Sequence, residues 1–239
     1  MPQLKLKKFD MSSVTSDSII VMLGKRRTGK SFLCRDLLSF HQDLPTGLVI
    51  SGTESSNGFF GKIFPPLYIF DEYKPQIIEN LVKRQKAIVK KAEQDPSIDP
   101  RCILVMDDCL YDKSWTNDVN MRQIFMNGRH LKLGLILTSQ YPLGVPPNLR
   151  SNVDFTFILR ENVVANRRRI YENYCGMLPH FEVFCSVLDQ TTENFECLVV
   201  NNFVSSNRLE DQLFYYRAQD RPDYTIGCRM YWNKNNAML

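Results

Sequence analysis

The chain of 239 residues is long enough for one sizeable α/β domain, and its hydrophobic content of 44% is ordinary for a globular protein. Its net charge of +4 permits a nucleic-acid partner without requiring one. Seven scattered cysteines without a C-x-x-C pair argue against a disulfide framework, and the sequence shows neither a signal peptide nor an apolar run of about 18 residues. These properties predict a soluble protein of a reduced compartment that is not secreted.

Residues 1–17 are polar and basic, with Lys5, Lys7 and Lys8 clustered among a few apolar residues. Residues 1–10 are compatible with a short edge strand or with part of a loose basic arm. A solvated arm is the simpler interpretation. An arm that binds nucleic acid or a neighbouring subunit is the alternative.

The most informative stretch follows a predicted strand at residues 18–23. It matches the phosphate-binding pattern G-x-x-x-x-G-K-[ST] and consists of Gly24, Lys25, Arg26, Arg27, Thr28, Gly29, Lys30 and Ser31. Its glycines let the backbone wrap closely around an anion with the N–H groups pointing inward. An amphipathic helix predicted from residue 31 to 40 directs the positive end of its dipole at the same phosphates. Strand, glycine loop and helix is the order that an ATP-binding P-loop requires.

Within this loop, Lys30 is predicted to reach the β- and γ-phosphates, and Ser31 is predicted to ligate Mg²⁺. A second strand is predicted at residues 48–51, and a small polar loop follows at residues 52–61. Loops at the carboxyl ends of parallel strands often contact ligands, so this loop is a ligand contact or an ordinary connection. A short strand is predicted at residues 67–70.

A helix with a strongly basic face is predicted to begin at Pro75, because apolar residues recur at helical spacing as far as Ala92. The basic residues between them are Lys83, Arg84, Lys86, Lys90 and Lys91. A solvated face is the plainer interpretation of such a charge run. A surface that faces DNA or a neighbouring subunit is the alternative.

The second informative stretch is the apolar run at residues 103–106, which ends in Asp107 and Asp108. This pattern is typical of a buried parallel strand that presents carboxylates at its carboxyl end. In P-loop proteins the first acid helps to hold Mg²⁺ and the second can orient the attacking water. We therefore assign Asp107 to the metal and Asp108 to the water.

A predicted helix at residues 117–127 is followed by Arg129 and by a strand at residues 133–137 that runs into Thr138, Ser139 and Gln140. A strand that ends in a polar amide after the acidic strand is the expected position of a γ-phosphate sensor. Gln140 is therefore predicted to hydrogen-bond both the phosphate and the water.

The remaining predicted elements contain few candidate functional residues. The proline-rich stretch at residues 141–152, which contains Arg150, is predicted to be a loop too stiff for a helix. Residues 210–218 are amphipathic, and residues 219–239 are predicted to be an irregular tail. Strands are predicted at residues 155–159 and 195–200, and helices at residues 162–175 and 180–188.

Taken together, these motifs resemble the genome-packaging ATPases of nucleocytoplasmic large DNA viruses, which belong to the FtsK–HerA superfamily. The resemblance covers most of the chain. The P-loop is shared by very many proteins, whereas Gln140-Tyr141-Pro142 and Arg150-Ser151-Asn152 are much narrower signals. The other matching stretches are residues 107–108, 129–130, 138–139, 149, 153–154, 198–202 and 211–218.

The resemblance implies a RecA-like (ASCE) α/β fold with a mostly parallel sheet, helices on both faces, and the sensor strand between the P-loop strand and the acidic strand. It also implies a pentameric or hexameric ring that hydrolyses ATP with Mg²⁺ and drives double-stranded DNA into a preformed capsid. A capsid or membrane protein at the packaging vertex is the implied partner, in the host cytoplasm (the viral factory) or in association with the virion. Such motors insert an arginine finger into the neighbouring site, for which Arg129 is the first candidate and Arg150 the second.

Several alternatives stay open at this point. Many related motors have Glu where this chain has Asp108, so an assembly factor that binds nucleotide with little turnover is one alternative. An FtsK–HerA helicase or repair ATPase would share the motifs, although it usually has a further domain. A small-molecule kinase needs an arginine-rich lid, for which Arg167, Arg168 and Arg169 are the only candidates, and they are more typical of a helix surface.

Overall fold

The computed structural model describes residues 5–109 and 114–238, and a mixed sheet forms the centre of that part of the chain. Its strands lie in the order β1-β9-β8-β7-β2-β6-β5-β3-β4. Their bounds are β1 Lys7–Lys8, β2 Ile19–Leu23, β3 Gly47–Ser51, β4 Ile69–Phe70, β5 Cys102–Asp107, β6 Leu133–Ser139, β7 Phe155–Ile158, β8 Glu196–Asn201 and β9 Leu213–Arg217.

Most neighbouring strands are parallel, and only β8 pairs antiparallel with both β7 and β9 among the described strands. The strand before the P-loop, β2, pairs in parallel with β6 on one side and β7 on the other. Strand β6 pairs in turn with β5. The sensor strand therefore lies between the P-loop strand and the acidic strand, as predicted.

Helices cover both faces of this sheet. Their bounds are α1 Lys30–Leu38, α2 Glu54–Asn57, α3 Pro75–Ala92, α4 Val119–Asn127, α5 Pro147–Arg150, α6 Val164–Tyr174, α7 Phe181–Thr191, α8 Leu209–Gln212 and α9 Arg229–Asn236. Alternate residues of β2 point to opposite faces, which gives each face its own core. Ile20 and Met22 pack with Leu33 and Leu37 of α1, whereas Val21 packs on the face that is covered by α3, α4, α6 and α7.

The alternation explains why β2 reads as a continuous apolar run, since a strand buried on both faces has no solvated side. All five residues of β2 and all six of β5 are buried. Parallel strands of this kind end at a common edge of the sheet, and the chain leaves β2, β5 and β6 at that edge. We call it the carboxyl edge.

The structure differs from the predictions for two stretches of the C-terminal half, shows what residues 210–218 form, and decides between the alternatives for the N-terminus. The stretch at residues 141–152 is not entirely a loop, because Pro147 occupies the first turn of α5, where its fixed φ suits a helix. Residues 210–218 form α8 and then β9, which pairs with β8. The tail contains α9, whose buried Asn235 accepts the backbone N–H of Leu67 at 2.9 Å. At the other terminus, Lys7 and Lys8 form the edge strand rather than a wholly loose arm.

Candidate nucleotide-binding site

The phosphate loop joins the end of β2 to the start of α1 at the carboxyl edge. A Cβ atom on Gly24 would lie 2.6 Å from Oγ1 of Thr28 and 3.0 Å from Cβ of Leu159, so only glycine allows this close turn. Gly29 has φ of 100° and Arg27 has φ of 64°, both in the left-handed region. The loop therefore has the tight, glycine-dependent backbone that a phosphate cradle needs.

Lys30 lies inside this loop rather than on the surface. It is 8% exposed, and its Nζ atom donates hydrogen bonds to the backbone carbonyls of Gly24 at 2.8 Å and Lys25 at 3.0 Å. Burial lowers the pKa of the Lys30 ammonium, and the nearby charges of Asp108 and Asp107 oppose that shift. These carbonyl contacts hold the Lys30 cation within the loop.

Asp107 ends β5 and is 4% exposed. Its Oδ1 accepts the hydroxyl of Thr138, on the neighbouring strand β6, at 2.7 Å. The same Thr138 oxygen accepts the backbone N–H of Asp108 at 3.1 Å. Burial raises the pKa of Asp107, while the bond from Thr138 lowers it in part. Thr138, which the sequence marked only as part of the strand end, thus fixes the positions of both acids.

Asp108 lies just beyond β5, and it accepts a hydrogen bond at Oδ1 from the side-chain amide of Gln140. Its φ of 52° is in the left-handed region, which an aspartate adopts more readily than most residues. This turn aims the second acid away from the strand and toward the end of β6. The structure therefore brings Asp108 and Gln140 together at the carboxyl edge, whereas the bonds from Gln140 to the phosphate and the water stay a prediction.

The oxygen donors in this region are of the kind that Mg²⁺ prefers. Ser31 lies in the first turn of α1, and Asp107 is close enough to Lys30 for their charges to interact. No group of three or more His, Cys, Asp or Glu side chains capable of holding a metal occurs in residues 5–109 and 114–238. One hydroxyl and one carboxylate agree with a magnesium ion that keeps most of its ligands as water and phosphate oxygens.

Glu161 is a buried acid at this edge that the sequence analysis missed. It is 4% exposed, and its Oε1 lies 2.7 Å from Nζ of Lys25 in the phosphate loop. The backbone N–H of Val163 donates to the same oxygen at 2.8 Å, and Nδ2 of Asn166 donates to Oε2 at 3.0 Å. Burial opposes ionisation, yet these donors lower the pKa of Glu161. Its position just beyond the end of the strand at residues 155–159 was the feature of the sequence that could have identified it.

Glu54 organises the loop after β3 rather than pointing freely into the site. Its two carboxylate oxygens accept the backbone N–H groups of Phe60 at 2.9 Å and Gly61 at 2.8 Å. Its charge is one of the smaller causes that raise the pKa of Asp107. The loop at residues 52–61 is therefore an ordered neighbour of the acidic strand.

Both arginine-finger candidates lie away from the phosphate loop of their own chain. Arg129 pairs with Asp154, whose other oxygen accepts the backbone N–H of Ile19 at 2.8 Å. Ile19 begins β2, so this pair lies at the opposite edge of the sheet, which we call the amino edge. Arg150 stacks over the ring of Tyr174 at 5.1 Å, in a pocket that also includes Ser151 and Asn202. Both candidates therefore lie at or near the amino edge, whereas the phosphate loop lies at the carboxyl edge.

None of the helices in the described part of the chain is long and apolar enough to cross a membrane. On α3, the predicted basic residues are exposed, and Lys83 forms an ion pair with Glu79 one turn earlier. The buried side of the same helix is formed mainly by Ile78, Leu81 and Val82. The basic face is thus a solvent-facing surface in the isolated chain.

Comparison with known proteins identifies viral relatives over nearly the whole length. The chain is 38% identical over 232 residues to an uncharacterised protein of Acanthamoeba polyphaga mimivirus, covering 95% of this chain and 81% of that protein. It is 39% identical over 226 residues to an uncharacterised protein of Invertebrate iridescent virus 6, covering 93% of this chain and 86% of that protein. No protein-family model matches the chain.

A solved structure of similar fold is the genome packaging NTPase B204 from Sulfolobus turreted icosahedral virus 2 in complex with sulfate. It has a TM-score of 0.61 and 17% identity, covering 87% of this chain and 99% of that one. At this identity the likeness shows the fold alone. It confirms the predicted α/β, RecA-like P-loop fold.

Proposed function

This chain belongs to a family of proteins from large DNA viruses that have the FtsK–HerA type of P-loop ATPase fold, and we propose that it is an ATP-driven motor that moves double-stranded viral DNA into a preformed capsid. The observation that carries the proposal is the meeting of three strand ends at the carboxyl edge. They bring together the phosphate loop with Lys30, the acids Asp107 and Asp108, and the amide of Gln140.

In the proposed mechanism, the loop N–H groups at residues 24–31 hold the phosphates of ATP. Lys30 exchanges its carbonyl contacts for the β- and γ-phosphate oxygens, which are stronger acceptors because they are charged. Ser31 and Asp107 would hold Mg²⁺, which neutralises phosphate charge when bound. Asp108 orients the attacking water and accepts its proton, and Gln140 holds Asp108 and the water in line with the γ-phosphate.

Both finger candidates lie far from the phosphate loop of their own chain, and this supports a ring in which a neighbouring subunit supplies the finger. Arg129 and Arg150 both lie at or near the amino edge, so a neighbour could present that edge to the phosphate loop. Such a finger stabilises the charge that develops on the transferred phosphoryl group. A pentamer or hexamer gives every site one such neighbour.

The proposed substrate is duplex DNA, and the proposed partner is a capsid or membrane protein at the packaging vertex. The B204 neighbour is described as a packaging NTPase, which supports this setting. The exposed basic residues of α3 are a candidate DNA-binding surface, because lysine and arginine side chains are attracted to the phosphates of the DNA backbone. The proposed location is the host cytoplasm at the viral factory, or the virion.

Two alternatives share the same site. A helicase or repair ATPase of the FtsK–HerA type would also show DNA-stimulated turnover, but it would separate strands. An assembly factor would bind ATP with little turnover. A kinase is disfavoured because its only candidate lid residues are held on α6: Arg167 pairs with Asp189, and Arg168 stacks over Phe181.

The deciding experiment is steady-state ATP hydrolysis by the purified protein at low salt, with and without blunt duplex DNA. We expect turnover that rises with DNA and that Lys30→Ala abolishes, because the phosphates lose their buried cation. Lys234→Ala, an exposed lysine on α9, is the matched control and should retain turnover. Retained hydrolysis in Lys30→Ala would overturn the P-loop assignment. Tight ATP binding without turnover under any condition would favour the assembly factor.

A further inference from the structure

Phe195 is an exposed aromatic residue at the phosphate loop that has no part in the mechanism above. Its side chain is 69% exposed. Its Cδ1 atom lies 3.6 Å from the position that a Cβ atom on Gly29 would occupy. Single exposed apolar residues are common on protein surfaces, and what distinguishes Phe195 is its place against the phosphate loop.

The turn that carries Phe195 is held in an uncommon conformation. Asn194 has φ of 50° and Phe195 has φ of 63°, in the left-handed region that is unfavourable for a bulky residue. The backbone N–H of Glu196 donates to the carbonyl of Glu193 at 2.9 Å and closes the turn. The end of α7 just before it is held by the hydroxyls of Thr191 and Thr192, which donate to carbonyl groups four residues earlier at 2.8 and 2.6 Å. The turn therefore places Phe195 at the surface beside the loop and outside the core.

The strand order indicates which part of a nucleotide would reach this ring. The acids and Gln140 lie on the β6 and β5 side of the P-loop strand β2, so the γ-phosphate faces that side. Strands β7 and β8 lie on the other side of β2. Phe195 directly precedes β8, which is antiparallel to β7, and it therefore lies at the carboxyl edge. A nucleotide that extends away from the acids carries its base toward Phe195.

We propose that Phe195 is the platform on which the base of the bound nucleotide stacks. The inference rests on the proposed ATP site and adds to it the residue that recognises the base. Leu159 lies beneath the same part of the loop, with its Cδ2 atom 3.8 Å from the Cβ position on Gly29, but it is 2% exposed, so Phe195 is the one of these two residues that a base can reach. Stacking on an aromatic ring accepts any base but favours the larger purine ring over a pyrimidine.

The test compares two ligands that share the phosphates and differ in the base. The affinities of a non-hydrolysable ATP analogue and of inorganic tripolyphosphate are measured by calorimetry, with Mg²⁺ and the full chain. Phe195→Gly is the informative variant, because glycine suits a left-handed backbone and the fold should tolerate the change. Phe203→Gly is the matched control, since Phe203 is another exposed phenylalanine, 56% exposed, beyond the other end of β8.

We expect Phe195→Gly to weaken the analogue roughly five- to a hundredfold, the range for one base–aromatic stack, and to leave tripolyphosphate unchanged. Phe195→Trp should keep the affinity for the analogue that Phe195→Gly loses, and Phe203→Gly should change the affinity for neither ligand. An equal loss for both ligands would overturn the proposal, because Phe195 would then support the loop and not the base. Unchanged affinity for both would overturn it as well. Failure of the wild-type protein to bind either ligand would instead remove the proposed ATP site, and the inference with it.

Discussion

Lys25 in the phosphate loop and Glu161 beyond β7 form an ion pair whose Nζ and Oε1 atoms lie 2.7 Å apart. The glutamate is buried and the lysine is partly exposed. The pair therefore connects the phosphate loop to a buried carboxylate of the segment after β7. Since Lys25 is one of the variable positions of the P-loop pattern, this tie is a feature of this chain and is not required by the motif.

The first prediction concerns the pH dependence of stability in Glu161→Gln. Burial raises the pKa of Glu161, but the hydrogen bonds from Lys25, Val163 and Asn166 outweigh it and lower the pKa below its ordinary value in the folded chain. A carboxyl with a depressed folded pKa stabilises the fold above its unfolded pKa and loses that contribution as pH falls through the folded pKa. The wild type should therefore be more stable than the variant at neutral pH, and the difference should shrink as pH falls below about 4.3, the ordinary pKa of a glutamate.

Urea unfolding midpoints at pH 7 and at successively lower pH values measure this difference. Glu93→Gln provides the matched control, because it removes the same charge from an exposed site at the end of α3. A stability difference between wild type and Glu161→Gln that stays constant with pH would show that the ion pair does not act through the ionised carboxylate.

The second prediction contrasts two buried threonines on the strands that flank β2. Thr138→Val removes the donor to the buried carboxylate of Asp107 and the acceptor of the half-buried Asp108 N–H, and it leaves both groups without that partner. Thr156 is fully buried on β7, and among the described residues its Oγ1 has no hydrogen-bond partner. We expect Thr138→Val to cost about 1–3 kcal/mol of unfolding free energy, and Thr156→Val to be neutral or stabilising.

The same pair separates effects on catalysis from effects on stability. Loss of the Thr138 bond favours protonated Asp107, whose pKa burial already raises. The acidic limb of the turnover profile should therefore move to higher pH in Thr138→Val and stay in place in Thr156→Val. A profile that shifts equally in both variants, or in neither, would contradict the role of Thr138 in keeping Asp107 ionised.

Thr138 also shows which features of the site could be predicted from the sequence and which could not. Apolar runs ending in polar residues were enough to predict β2, β5 and β6. The family resemblance implied that β6 lies between β2 and β5, which brings Asp107, Asp108 and Gln140 to one edge because parallel strands share their carboxyl ends. The partners of those residues were not predictable in the same way. Whether Thr138 reaches Asp107 depends on the register between β5 and β6, which no local pattern encodes.

The errors in the predicted elements have the same origin. Residues 213–217 join the sheet as β9 because β8 offers them an edge, although their local pattern is also compatible with a helix. The short helix α5 forms in a proline-rich stretch because its prolines fall at the helix start, where a missing N–H costs nothing. Glu161 was missed because its partner Lys25 is distant in sequence and its own neighbours carry no motif.

The third prediction separates binding from turnover at the second acid. Asp108→Asn should keep the nucleotide affinity, because asparagine adopts the left-handed backbone readily and can still accept the hydrogen bond from Gln140. Turnover should fall about 10²- to 10⁴-fold, the usual contribution of a positioned general base. Equilibrium binding and single-turnover hydrolysis measure the two quantities separately.

Asp71→Asn is the control for this variant, since Asp71 is an exposed acid near the end of β4. It should change neither quantity. An equal loss of binding and turnover in Asp108→Asn would mean that Asp108 holds the metal or the fold, and the water-orienting role would pass to another residue.

The last prediction concerns the arginine finger. A finger must extend from its own chain, and Arg129 is suited to this because its side chain is 54% exposed, whereas one guanidinium nitrogen of Arg150 is buried. Arg129→Ala subunits keep an intact phosphate loop but lack the finger, and Lys30→Ala subunits have the reverse defect. Mixing the two inactive proteins should therefore restore hydrolysis, because each Arg129→Ala site receives Arg129 from a Lys30→Ala neighbour.

The same mixture made with Arg150→Ala should show no such rescue, and Arg122→Ala, on the exposed face of α4, should be active alone. Rescue with Arg150→Ala and none with Arg129→Ala would assign the finger to Arg150. The Arg129–Asp154 pair would then be a tie within the subunit. A double-mutant cycle of Arg129→Ala and Asp154→Asn measures the interaction between the two residues. A structural ion pair gives a coupling of about 0.5–3 kcal/mol in the unfolding free energy. If Arg129 instead leaves Asp154 to enter the neighbouring site, the main effect of its removal is on turnover.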